Sequence, residues 1–377
     1  MTVSSTDEAW MRQAIQLSTQ SLYITAPNPR VGCLIVRDGR LLASGATQAA
    51  GEPHAEIMAL RDAQRQGVDV AGATIYVSLE PCSHHGRTPP CVEALIQARP
   101  ARVVIGMKDP NPKVGGQGLA RLRAAGIAVH AGVCADQALE VNPGFVARMT
   151  RGTPWTWLKT AASLDGKAAL HNGRSQWITG PQARTDGHHW RARSCVVLTG
   201  IGTIEADDPL LNVREVPTPR QPVRAIVDTQ FRIRESARIF DGSPVWIFTG
   251  RADSAKADRL AERNVRVIEL PMRDKQVDLS QLMLWLGRNE INEVHVEAGP
   301  VLSGALLQAG CADELLLYMA PMVLGDARDM YRLPELTSLD QALRFEFFDT
   351  AALGHDVRLR ARLPQRWRQL SLAVVSS

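Results

Sequence analysis

Cysteine is sparse in this chain. Six thiols (Cys33, Cys82, Cys91, Cys134, Cys195 and Cys311) are spread over 377 residues. That is too few for a disulfide-stapled secreted scaffold, and it points to reduced thiols in a cytosol. Cys33, Cys195 and Cys311 lie in or beside apolar runs, where a buried structural thiol is expected. Aromatic residues are only 5% of the chain, so a row of base-stacking platforms is absent. The net charge of +4 is small for this length. It does not suggest a nucleic-acid-coating surface, while mild positivity suits a phosphorylated small molecule. No uninterrupted apolar run approaches the ~20 residues that span a bilayer, and Met1 to Trp10 carries acids and no apolar signal core. The expectation is a cytoplasmic enzyme with neither membrane nor nucleic acid as partner. The length predicts two domains.

The first half alternates helical and strand signals. Ser5-Thr6-Asp7-Glu8 has capping-box spacing and predicts a helix to Gln20. Val31–Val36 and Leu41–Ala43 form a hairpin about Asp38-Gly39. Pro53 fits a first helical position, so His54 and Glu56 fall in the first turn of a helix reaching Gln66. Thr74–Leu79 is a strand ending at Glu80-Pro81-Cys82, and Pro89-Pro90-Cys91 opens a helix to about Ala98. A strand over 102–107, a glycine-led helix over 115–125 and a strand over 127–131 complete an α/β layered domain.

The chemistry of this half concentrates at His54, Glu56, Cys82 and Cys91. One imidazole and two thiolates can hold zinc and leave its fourth position for water. Both cysteines and His54 sit where a loop meets a helix start, and such N–H dipoles lower thiol pKa. The order H-x-E, then P-C, then a later Cys is a zinc-deaminase signature in which the carboxylate moves protons. Positions i and i+2 lie about 200° apart around a helix, so the site must wrap the helix end. Structural zinc is the competing reading; it would want a fourth protein ligand, which His84 or His85 could supply.

The second half is weaker in isolation. The stretch 148–154 is polar with a Gly and a Pro and predicts a linker. Strands are predicted over 155–162, 195–199, 223–227, 245–248, 265–270, 293–297, 313–319 and 356–363. Helices are predicted near 182–191, 254–263 and 279–288. Ala298 to Gly304 follows a strand and opens a helix, a phosphate-ready arrangement of N–H groups. Neither Gly200-x-Gly202 nor Gly299…Gly304 is the dinucleotide fingerprint G-x-G-x-x-G. The residues after Pro364 expose no chemistry.

Longer motifs carry a resemblance. Thr25-Ala-Pro-Asn28-Pro-Arg-Val-Gly32 and the Glu80 to Cys91 stretch, with its eight residues between the cysteines, resemble the deaminase half of the bifunctional riboflavin-biosynthesis deaminase/reductases. Lys159 to Lys167, Ser175-Gln-Trp177-Ile-Thr, Thr203 to Leu211 and Glu297-Ala-Gly299-Pro300 resemble the reductase half. The resemblance spans about residues 5–363. It implies a cytidine-deaminase-like α/β/α layered domain over 1–150 and a dihydrofolate-reductase-like α/β domain over 151–377. It also implies zinc and NADPH as cofactors, a phosphoribosylated pyrimidine as substrate, and a homo-oligomer, dimer or tetramer.

The resemblance implies residue roles as well. His54, Cys82 and Cys91 hold the metal, and Glu56 is the catalytic carboxylate. Asn28 contacts the deaminase substrate. Ala161, Trp177, Thr203, Asp207 and the loop Gly299, Pro300, Val301, Leu302 and Ser303 contact NADPH. Ser175, Arg191, Leu211, Arg214 and Glu297 contact the reductase substrate, with Arg191 and Arg214 on its phosphate. Lys159, on the strand that carries these motifs, is the candidate polar or proton-donating group at the reacting centre of the reduction. A nucleic-acid deaminase with an RNA-binding second domain, and a zinc-stabilised binding protein without turnover, are the alternatives.

Overall fold

The computed structural model describes residues 4–83, 89–111 and 114–375. Two compact units emerge: Met1–Gly152 joined by Trp367–Ser377, and Thr153–Arg366.

In the first unit the elements are α1 (Ser5–Ser18), β1 (Gly32–Arg37), β2 (Arg40–Ala46), α2 (Ala55–Arg65), β3 (Thr74–Leu79), α3 (Cys91–Ala98), β4 (Arg102–Met107), α4 (Gln117–Ala124), β5 (Ala128–Ala131), α5 (Ala135–Val141) and α6 (Pro143–Arg151). The sheet order is β2-β1-β3-β4-β5. The β1 strand is antiparallel to both neighbours, and β3, β4 and β5 run parallel. Two glycines set the layers. A Cβ on Gly32 would lie 1.9 Å from the Ala14 carbonyl oxygen in α1, and one on Gly45 would lie 2.4 Å from the Ala59 nitrogen in α2. Gly45 pairs with Cys33 across the hairpin, so it shares a face with Cys33 and not with Gly32. The two helices therefore cover opposite faces of the sheet, the α/β/α layering expected.

The helix starts differ from the sequence reading in register. The capping box is Ser4 with Asp7, one residue earlier than expected. Ser4 Oγ accepts the Asp7 N–H at 3.2 Å, and Asp7 Oδ2 accepts the Ser4 N–H at 3.0 Å. Asp7 is turned inward because Tyr76 Oη donates to it at 2.8 Å and Arg102 also reaches it. Likewise α2 begins at Ala55, and His54 is its N-cap in extended conformation. Pro53 thus precedes the cap. The predicted linker over 148–154 is also shorter, because α6 continues to Arg151 and ends at Gly152 with φ +74°. Its polar last turn is the outer side of a helix that buries Phe145, Val146 and Ala147.

The second unit holds β6 (Trp155–Ser163), β7 (Lys167–Ala169), α7 (Pro181–Arg193), β8 (Val196–Gly200), α8 (Ile201–Asp207), β9 (Val223–Val227), β10 (Val245–Thr249), α9 (Ser254–Ala261), β11 (Val265–Glu269), β12 (Met272–Arg273), β13 (Gln276–Val277), α10 (Leu279–Arg288), β14 (Glu293–Glu297), α11 (Pro300–Gln308), β15 (Glu314–Ala320), β16 (Arg328–Asp329), β17 (Glu346–Leu353) and β18 (Asp356–Arg362); α12 (Pro364–Val374) follows, its residues from Trp367 onward belonging to the first unit. Nine strands order as β11-β10-β9-β8-β14-β6-β15-β18-β17. All are parallel to their neighbours up to β15, and β18 and β17 are antiparallel. Helix α8 and strand β17 are absent from the sequence reading. The first buries only Ile204 behind two glycines, and the second buries no residue fully. Hence neither leaves a hydrophobic period to read. The tail, silent in sequence, forms α12. In the first unit, its Val374 carbonyl accepts the Lys108 N–H at 3.0 Å, and Ser371 Oγ bonds Asp136 at 2.9 Å.

Two candidate active sites

In the first unit, β3 delivers Cys82 from its C-terminal end, and the starts of α2 and α3 deliver His54 and Cys91. Their ligand atoms all lie within 4.8 Å of one another. His54 Nδ1 is 3.6 Å from Cys82 Sγ and 3.4 Å from Cys91 Sγ. A tetrahedral zinc with bonds of about 2.0–2.3 Å sets its ligand atoms about 3.3–3.8 Å apart, so the cluster has the dimensions of a zinc site. Because His54 is an extended cap and not part of the helix, the 200° separation from Glu56 does not arise. Both side chains turn to the same place. The loop residues His84 and His85, which could supply a fourth ligand under the competing structural-zinc reading, lie outside the described residues.

The electrostatics favour a cation. Cys82 is pulled well below the usual thiol range by a hydrogen bond from Cys91, against burial, with His54 assisting. Cys91 is correspondingly pushed well above the usual thiol range by that same bond, by burial and by Glu56. Two sulfurs and a carboxylate this close cannot all ionise unless a positive ion joins them. Glu56 is 4% exposed, and burial, then the Cys82 charge, raises it to about 7. A metal on the thiolates would cancel the second cause and leave the first.

The frame around this cluster contains a residue whose role the sequence did not disclose. Glu80 accepts four backbone N–H groups. Those of Asp109 and Gly116 reach Oε2 at 3.1 and 3.0 Å, and those of Gly118 and Leu119 reach Oε1 at 2.9 and 3.3 Å. It thereby fastens the α4 start to the Cys82 strand end. Asn28 sits in the turn before β1, its N–H on the Thr25 carbonyl at 2.8 Å.

In the second unit, the C-terminal ends of β6, β8, β9 and β14 open onto a cavity of about 1100 Å³. This is where an open parallel sheet binds ligands. Lys159, Ala161, Ser175, Trp177, Arg191, Thr203, Asp207, Leu211, Arg214, Glu297 and Gly299 to Leu302 all line it. Ser303 does not: it is fully buried and donates to the Ala298 carbonyl at 3.2 Å. Asn28 belongs to the first unit.

A charged group forms the cavity's inner wall. Glu297 and Lys159 are paired in register on adjacent strands, with Lys159 Nζ 3.9 Å from Glu297 Oε2. Arg191 grips the same carboxylate with both arms of its fork and also donates to the Asn212 carbonyl at 2.9 Å. Burial alone would raise Glu297; Arg191, Lys159 and His295 override it and hold the carboxyl well below the usual range. Burial lowers Lys159 despite Glu297. Other wall residues were not foreseen, among them Arg184, His188, Asp228 and Arg232. Asp228 follows β9 directly and is fully buried, and its Oδ1 has no hydrogen-bond partner among the described residues. Its place just beyond a parallel strand's C-terminal end was the available signal.

The comparisons with known proteins cover both halves of the chain. Residues 4–107 match the family model of the cytidine and deoxycytidylate deaminase zinc-binding region. Residues 154–359 match the RibD C-terminal domain. The chain is 47% identical to the riboflavin biosynthesis protein RibD of Escherichia coli K12, over 94% of this chain and 98% of that one. Among solved structures it resembles Acinetobacter baumannii RibD, with TM-score 0.87 and 43% identity over 95% of this chain and 98% of the other. It also resembles a diaminohydroxyphosphoribosylaminopyrimidine deaminase/5-amino-6-(5-phosphoribosylamino)uracil reductase of Thermotoga maritima, with TM-score 0.84 and 32% identity over 95% and 99%.

Proposed function

The chain belongs to the RibD family of bifunctional riboflavin-biosynthesis enzymes, and from that premise we propose how its own residues divide the two reactions. It is a zinc-dependent deaminase and an NADPH-dependent reductase in one polypeptide. The RNA-base deaminase alternative is not favoured, since the second half matches a reductase domain. The first reaction converts 2,5-diamino-6-(5-phosphoribosylamino)pyrimidin-4(3H)-one to 5-amino-6-(5-phosphoribosylamino)uracil. The second reduces the ribosyl chain to ribityl. The observation that carries the first assignment is the His54–Cys82–Cys91 cluster with a buried carboxylate beside it.

In the deaminase, His54, Cys82 and Cys91 would hold the metal. Bound there, zinc supplies Lewis-acid activation of the attacking water. Glu56 takes one proton of the attacking water at its carboxylate and passes it to the ring nitrogen, then relays the water's second proton to the departing amine. A carboxyl raised toward neutrality does both with little driving force lost. Asn28 contacts the pyrimidine.

In the reductase, NADPH supplies the hydride, and Ala161, Trp177, Thr203, Asp207 and the Gly299–Leu302 turn contact it. Ser303 supports that turn from behind. Ser175, Leu211 and Glu297 contact the substrate. Arg214 is exposed, its fork touching only Asn212 Oδ1, at 3.3 Å, among the described residues, and it is the freer cation for the phosphate. Arg191 has most of its fork on Glu297, and we read it as orienting that carboxylate while offering its remaining N–H groups to the substrate. Lys159, kept in a desolvated pocket, donates the proton at the reacting centre.

A homo-oligomeric, cytoplasmic protein without nucleic acid remains part of this reading. Phe347 on the outer strand β17 and Leu339 nearby, 66% and 83% exposed, support self-association, and light scattering would test it. For the chemistry, the test is a two-channel assay on zinc-replete protein, following ammonia and NADPH absorbance together. Glu56→Gln should remove ammonia release while leaving reduction of supplied uracil ribotide. Lys159→Met should do the reverse, and either variant behaving as wild type overturns its assignment.

A further inference from the structure

Trp177 is 64% exposed, yet it lines the cavity of the second unit. Val301, also on that wall, is 62% exposed. Large apolar side chains left in water inside a concave site mark the surface a ligand will cover. The Trp177 indole nevertheless has one face already in use. Arg184, in α7, places its guanidinium carbon 4.4 Å from the indole centroid. Its Nη1 donates to the Thr179 carbonyl at 2.9 Å, so the guanidinium is tied to the same turn that carries the indole. Arg184 lines the cavity as well. The arrangement is a layered stack: a cation pinned to the backbone, then an indole, then open space.

We propose that Arg184 is a positioning residue for Trp177, holding the indole in the one orientation that offers its free face to a flat ring of the dinucleotide. The inference rests on the reading of Trp177 as a cofactor contact. An exposed side chain without this clamp would sample several rotamers and lose that freedom on binding. Ordering one such side chain corresponds to about a three- to tenfold change in affinity. A guanidinium over an indole face is also attracted by the ring quadrupole, so the clamp needs no other partner on Trp177. Nothing here involves the reacting atoms, and the effect belongs in cofactor binding.

The experiment is a mutant cycle on the full chain, reading the equilibrium Kd for NADPH by energy transfer from protein tryptophan to the dihydronicotinamide, alongside KM and kcat for reduction. Arg184→Gln should weaken NADPH about three- to tenfold, with the change in KM and not kcat. Arg184→Lys, which keeps a cation over the ring, should recover part of it and shows that the site still folds. Trp177→Ala should weaken NADPH at least as much. In that background Arg184→Gln should add nothing, because the residue it positions is gone. Equal losses in both backgrounds would mean that Arg184 touches the cofactor directly, and would overturn the proposal. So would an unchanged Kd in Arg184→Gln when Trp177→Ala is impaired. An unchanged Kd in Trp177→Ala would instead remove the cofactor reading of Trp177 itself.

Discussion

Arg191 and Glu297 stand 106 residues apart in sequence and meet fork to carboxylate, with Nη2 2.9 Å from Oε2. The side chain of each is 13% exposed. Such a pair is not evidence of net stability, because both charges were taken out of water to make it. Its asymmetry is the useful property. Arg191→Met should strand a buried carboxylate and cost about 3–5 kcal/mol. Adding Glu297→Gln to that variant should restore part of the loss, although reduction stays impaired. Urea unfolding of the single and double variants reads this, and additive losses would show that the pair is not coupled.

Zinc removal should separate the two reactions. Dialysis against a strong chelator should abolish ammonia release, while NADPH oxidation with supplied uracil ribotide continues, since among the described residues the group spaced to hold a metal is His54, Cys82 and Cys91 in the first unit. Readdition of zinc should restore ammonia release, with one metal per chain by atomic absorption. Loss of both activities on chelation would contradict the division of labour.

His188 supplies a pH dependence of stability. Its side chain is 4% exposed, and burial, then Arg191, hold its pKa down to about 4. The unfolded chain titrates near the ordinary 6.5, so between these values the unfolded state binds more protons. Stability should therefore be intact above pH 6.5 and fall as pH drops toward 4, by about 3 kcal/mol. The difference between wild type and His188→Gln, measured by denaturant unfolding across pH 4–7.5, should show this slope and flatten outside it. A difference independent of pH would refute it.

Gly304 marks a tight approach of α11 to the chain that follows β15. A Cβ there would stand 1.9 Å from the Arg332 carbonyl oxygen, and backbone cannot yield as a side chain tip can. Gly304→Ala should lower stability by about 1–3 kcal/mol, the range for overpacking, and raise the KM for NADPH through the displaced Gly299–Leu302 turn. Deamination should be unchanged.

The candidate metal ligands were legible because their identity is their chemistry. A thiol, a second thiol and an imidazole at loop-to-helix junctions say what they hold whatever surrounds them, and strongly apolar strands such as Thr74–Leu79 were placed to the residue. The reductase motifs became readable through resemblance, while their glycines alone spoke only of turns. The sequence did not disclose α8, β17 or the tail helix, whose burial is too slight or too short to set a period.

The tertiary structure decided where charge is buried. Lys159, Arg191 and Glu297 are three ordinary ionisable residues in the sequence. They become one group because β14 inserts between β6 and β8, and α7 brings Arg191 alongside. Glu56 differs from any surface glutamate only through the elements that exclude water from it, and the Arg184–Trp177 stack exists only through the turn that folds one against the other. Local identity determines which bonds a residue can make. Which of them it makes, and at what protonation, depends on desolvation by segments distant in the chain, and no local pattern carries that information.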